Sequence, residues 1–109
     1  MKEIPLSNRD FTVKVSNVDF DFLNQFTWRV KHSRSGDYAC RSVRNGKRVI
    51  TLRMHRLIAS CYGDKTVDHI DGDHFNNQRD NLEIVTIEEN IRRYYDLQGN
   101  EVYKDKVPF

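Results

Sequence analysis

Between Val67 and Asn90 the chain reads VDHIDGDHFNNQRDNLEIVTIEEN. This run gathers Asp68, His69, Asp71, Asp73, His74, Asn76, Asn77, Asn81 and Asn90, and is poor in apolar residues until Leu82. Carboxylate and amide oxygens suit a hard divalent cation, and an imidazole is a proton acceptor near neutral pH. Polar loops also use Asp, Asn and Gly. Loop formation alone gives no reason for an Asp-His pair directly before Ile-Asp-Gly, or for Asn81-Leu82 ahead of a capped helix bearing another Asn. The chemistry expected is proton abstraction from a water with help from a cation. His69 is suited to take the proton, and Asp68 and Asn90 offer oxygens to Mg²⁺ or Mn²⁺, one ion per site. Two protein ligands suit magnesium, which keeps several waters. Asn81 fits an orienting role beside the imidazole. A calcium-binding EF-hand loop is excluded, because Asp71, Gly72 and Asp73 stand in the wrong order and no glutamate closes the pattern. Asp71, Asp73 and His74 read as loop-forming or outer residues.

The segment MHRLI (54–58), followed by VDHIDGDHFNNQRDNLEIVT and then EEN, closely resembles the HNH endonuclease family, in particular its phage-type homing and nicking members. The resemblance runs from Met54 to Tyr94. It implies a ββα-metal unit of two strands and one helix that hydrolyses phosphodiester bonds in double-stranded DNA, leaving a 3′-hydroxyl and a 5′-phosphate. In the family the first residue of the Asp-His pair binds metal, the histidine is the base, the Asn of Asn-Leu orients it, and the helix residue completes the metal site. Those positions fall on Asp68, His69, Asn81 and Asn90. Many relatives carry a histidine one helical turn later, where this chain has Tyr94. Tyr94 and His55 are the candidates for a phosphate contact. One site cuts one strand, so a monomer should nick and a two-fold homodimer could cut both. The competing reading is a catalytically silent DNA-binding or interaction protein on the same scaffold, and Tyr94 is the feature that favours it.

Such a site needs elements to hold it. Val67–Ile70 and Leu82–Val85 read as its two strands. Asp68 and His69 can share one site only if the first strand ends or distorts between them, since neighbours in a regular strand face opposite ways. Thr86 and Glu89 form a capping box for a helix from Ile87 to Tyr95. Met54–Tyr62 is a helix candidate with Leu57, Ile58 and Cys61 on one face and Gly63 able to close it. Upstream, Phe11–Val15 alternates as a half-buried strand. A short helix is expected over Val18–Phe26, with Val18, Phe22 and Phe26 on its core face. Trp28–His32, Tyr38–Ser42 and Arg48–Arg53 read as a three-stranded antiparallel sheet, with Asn45-Gly46 signalling a tight hairpin. Alternation puts Arg41 opposite Tyr38 and Cys40, so one face should be apolar and the other basic. The class is therefore α+β, divided as a basic antiparallel sheet with a short helix (1–53), the nuclease unit (54–95) and a tail (96–109).

The net charge of +2 conceals a sharp division. From Arg29 to Arg56, Arg29, Lys31, Arg34, Arg41, Arg44, Lys47, Arg48, Arg53 and Arg56 stand against Asp37 alone. From Asp64 to Asn90, eight acids stand against Lys65 and Arg79. One half suits phosphates and the other a cation. At 109 residues the length suits one domain. No apolar run is long enough for a membrane helix, and the start MKEIPLSNRD lacks an apolar signal segment, so a cytoplasmic location is expected. Cys40 and Cys61 lie far apart without Cys-x-x-Cys spacing, so neither a structural zinc nor a disulfide is expected.

Overall fold

The computed structural model describes residues 1–60, 65–86, 88, 89 and 92. They form a mixed α+β structure made mostly of strands, with two short helices. Strands β1 (Lys2–Pro5) and β2 (Thr12–Val15) pair antiparallel, with Ile4 opposite Val13. Helix α1 spans Asn17–Leu23. Strands β3 (Arg29–Ser33), β4 (Gly36–Asn45) and β5 (Arg48–Arg53) form an antiparallel sheet in that order. Helix α2 covers Met54–Ala59 and stops at Ser60, which is left-handed at φ 51°. Strand β6 (Lys65–His69) pairs with β8 (Leu82–Thr86), and between them lie the two-residue strand β7 (Asn76–Asn77) and a 3-10 turn over Arg79–Asn81.

The β3–β4–β5 sheet follows from its sequence. Its hairpin loop is Gly46–Lys47, because Asn45 still pairs with Arg48. Gly46 takes φ 63°, the left-handed value that a two-residue hairpin demands of its first loop residue. The core consists of Ile4, Leu6, Val13, Val15, Leu23, Trp28, Val30, Ala39 and Met54. Trp28 is fully buried because its indole N–H donates to the Leu23 carbonyl at 2.8 Å, which leaves no unpaired polar atom inside.

Three features depart from the sequence reading. Helix α1 ends at Leu23 and turns the other way: Val18 and Phe22 are 76% and 54% exposed, while Asp19 and Leu23 are buried. The reason is electrostatic as well as apolar. Arg79 grips Asp19 through two hydrogen bonds of 2.7 and 2.8 Å, and its own N–H donates to Ser16 Oγ. Strand β1 is an element the sequence reading does not contain. So is β7, which lies parallel to β2, with Lys14 opposite Asn76 and Val15 opposite Asn77. A shared sheet, the Arg79–Asp19 pair, and Met54 in a core otherwise built from earlier residues connect the segments before and after position 53.

The third feature is the facing of the sheet. Cross-strand partners share a side, so the register puts Arg29, Lys31, Tyr38, Cys40, Ser42, Arg44, Val49, Thr51 and Arg53 on one face. The hydrogen bonds Arg29 to Ser42 (2.9 Å) and Lys31 to Thr51 (3.2 Å) run across it. Arg41 and Arg48 lie on the other face, with Val30 and Ala39, and the Arg41 guanidinium sits 3.9 Å from the centre of the Phe26 ring. The basic face is therefore the one that carries Tyr38 and Cys40, opposite to the expectation. Alternation separated Arg41 from Tyr38 correctly, but a guanidinium can cover an aromatic ring as readily as it can face water.

Of the helix expected after β8, Glu88, Glu89 and Arg92 are helical. The Glu89 N–H donates to Thr86 Oγ1 at 3.2 Å, as a capping threonine requires. Cys61, Gly63, Asn90, Tyr94 and the tail from 96 lie outside the described residues.

Candidate active site

His69 is the last residue of β6. Pairing runs through both Asp68 (opposite Glu83) and His69 (opposite Leu82), so the strand ends after the pair rather than between its members, and the break expected between them is absent: the two side chains leave β6 on opposite sides and could meet one ion only beyond its end. The chain then turns, with the Gly72 N–H on the His69 carbonyl at 2.9 Å and the Ile70 N–H on the Asn81 carbonyl at 2.9 Å. His69 is 5% exposed and faces inward, while Asp68, on the alternate side of the strand, is half-buried.

The imidazole is held by Asn77, whose Oδ1 lies 2.7 Å from Nε2. Sequence reasoning puts Asn81 in that role, and the structure gives it another. Asn81 Nδ2 donates to Asp71 Oδ1 and to the Asn76 carbonyl, each at 2.9 Å, and its Oδ1 accepts the Asp71 N–H at 3.0 Å. It closes the 3-10 turn, so its side chain spans the loop rather than reaching the ring. Asp71 also takes the Asn76 amide and the Asp73 N–H at 2.8 Å each. These bonds outweigh a burial penalty that raises the Asp71 pKa and hold it below the ordinary value. Asp71 is a loop anchor, as expected of it.

Around His69 stands an aromatic layer that the sequence did not announce. Tyr38 lies stacked between His55 (4.8 Å, 21°) and His74 (4.4 Å, 8°). The His69 ring is 5.0 Å from that of His55 and 5.3 Å from that of His74. Arg53 caps Tyr38 at 4.9 Å, so the basic face of the sheet runs directly up to this layer. His74 Nδ1–H donates to the Asp37 carbonyl at 3.1 Å. That approach requires a glycine at position 36, where a Cβ would meet His74 Cε1 at 2.6 Å. Nothing in the sequence joins Tyr38 to residues 55, 69 and 74, since the contacts depend on how the sheet folds over the later segment.

Burial governs the titration of His55 and His69. His55, 3% exposed, is driven down to about 2, first by desolvation and then by His69, Arg53, Arg56 and His74. It is a neutral, buried group packed inside the layer. His69 is also lowered by burial, partly offset by its hydrogen bond to Asn77. Because the folded His55 pKa lies below the unfolded value, the unfolded chain binds the extra proton. Stability is complete above about pH 6.5 and is lost as pH falls below it. Between pH 7.5 and pH 5 this one group should cost about 2 kcal/mol. Urea unfolding at the two pH values should show His55→Gln losing about that much less than the parent. An equal loss in both proteins would refute this attribution.

Among the described residues no three His, Cys, Asp or Glu side chains converge as a metal cage. Nε2 of His69 is spent on Asn77, which argues against an imidazole-rich zinc-type centre. A carboxylate such as that of Asp68, next to the end of β6, is the donor type that suits a hard cation keeping most of its waters.

Residues 53–92 match the family model described as HNH endonuclease. No curated protein and no solved structure is significantly similar to the chain. The match covers the end of β5, α2, the β6–β8 pair with its loop, and the start of the segment that follows. The segment that ends a strand on a buried histidine beside an aspartate, with an asparagine-pinned loop closing behind it, is the part of the chain that matches the HNH endonuclease family model.

Proposed function

We propose that the chain is a metal-dependent DNA endonuclease whose base is His69. The observation that carries this reading is a buried imidazole tied at Nε2 to Asn77, next in sequence to a carboxylate, inside the matched segment. Asp68 and Asn90 would hold Mg²⁺ or Mn²⁺, which when bound carries the charge of the phosphate oxygens. His69 then takes a proton on Nδ1 from the attacking water as the water oxygen bonds to phosphorus and the P–O3′ bond breaks. The 3′ oxygen takes a proton from solvent, giving a 3′-hydroxyl and a 5′-phosphate. Tyr94 is assigned a hydrogen bond to phosphate. Duplex DNA is gripped by the face carrying Arg29, Lys31, Arg44 and Arg53, with Arg34, Lys47 and Arg56 at its margins. A monomer nicks, and a two-fold homodimer cuts both strands.

Supercoiled plasmid incubated with the protein and Mg²⁺ or Mn²⁺ should convert to the nicked circle, and chelator should stop the conversion. Retarded plasmid that stays supercoiled under every divalent cation would favour the silent DNA-binding reading instead. No helix among the described residues is long and apolar enough to cross a membrane.

A further inference from the structure

We propose that Asn77 is the positioning residue that holds His69 in its Nε2–H tautomer and so leaves the lone pair on Nδ1. This deepens the nuclease reading above and rests on it for its catalytic meaning. Three observations carry it. Asn77 is 0% exposed, and its Oδ1 lies 2.7 Å from His69 Nε2. An amide oxygen can only accept, so the imidazole nitrogen facing it must bear the proton. The backbone that carries Asn77 is also fixed: β7 pairs with β2 at Val15–Asn77, and the Lys14 N–H donates to the Phe75 carbonyl at 2.8 Å. Strand β2 lies outside the family match, so the N-terminal sheet takes part in setting the angle of the ring.

The other arm of the amide supplies the third observation. Asn77 Nδ2 is buried without a hydrogen-bond partner among the described residues. A buried donor left unmade is costly, and an apolar residue at this place would avoid the cost. Packing alone therefore does not explain an asparagine here, whereas its acceptor oxygen does. The reversed amide would turn Nδ2 toward His69, force the ring proton onto Nδ1, and leave the lone pair facing the interior. The two orientations predict opposite tautomers.

The test uses the full chain, ¹⁵N-labelled, at pH 7.5 without divalent cation. Long-range ¹H–¹⁵N correlation over its four histidines reports which ring nitrogen of His69 is protonated. The expected result is a protonated Nε2 and a bare Nδ1. In Asn77→Ala the preference should relax toward a mixture, while plasmid-nicking kcat falls about 10–100-fold at unchanged KM. A protonated Nδ1 in the parent protein overturns the proposal. So does a folded Asn77→Ala that keeps the parent tautomer. Should the variant fail to fold, the parent spectrum decides alone. If the tautomer is as expected but the parent protein never cuts DNA, the nuclease reading falls and the assignment of Asn77 to the ring stands.

Discussion

His69→Ala should lower plasmid nicking by about 10²–10⁴-fold while DNA affinity stays within a factor of two or so. Removing the ring removes the group assigned to take the proton of the attacking water. Phosphate contacts on the sheet are untouched, so binding persists. The substitution also opens a gap among Tyr38, His55 and His74 and strands Asn77 Oδ1, at a cost of about 1–3 kcal/mol in stability. Circular dichroism at the assay temperature therefore belongs beside the kinetics. A folded variant that nicks at the parent rate would remove His69 from the mechanism. The parent enzyme carries a further signature. Burial lowers the His69 pKa, and a base works only when neutral, so activity should hold below pH 6.5 and fail as pH drops through that lowered value.

What the sequence could reveal was set by distance along the chain. The Asp68-His69 pair, the turn after Ile70, the hairpin at Gly46 and the Thr86 cap are local, and each rests on residue types within a few positions of one another. Those were legible. The partner of His69 was not: the sequence pointed to Asn81, and side-chain chemistry alone does not separate it from Asn76 or Asn77 in the same loop. Asn77 faces the ring only because β7 docks along β2, more than sixty residues earlier, and that docking leaves no pattern in a two-residue strand. The facing of α1 was misread for a similar reason. Val18, Phe22 and Phe26 have helical spacing, yet Arg79 captures Asp19 from across the fold and turns the helix with it. Tyr38 shows the same limit. It looked like an ordinary strand residue and stands between two histidines of the later segment.

The basic face yields the second large effect, and the arrangement of the sheet makes it selective. Replacing Arg29, Lys31 and Arg44 together with glutamine should weaken binding to a short duplex about 500-fold at 0.1 M salt. The figure follows from counterion release: each neutralised phosphate contributes about 0.9 to the slope of log K against log salt, so three lost contacts remove about 2.7. Arg53 is left in place because it packs on Tyr38 and its loss would disturb the site as well as the surface. Arg41→Gln is the matched comparison. It removes the same charge from the same strand as Arg44, but from the face where the guanidinium covers Phe26, so the slope should barely move. The two measurements separate net charge from geometry. If affinity follows the number of positive charges removed, whichever face they came from, then attraction is diffuse and the sheet has no gripping side. If the triple variant loses about 2.7 of the slope while Arg41→Gln keeps the parent's, DNA lies along the face that leads past Arg53 and Tyr38 to His69. In that case the strand that grips the substrate also carries the ring that packs against the base. Binding and cutting would then be set by one piece of β4.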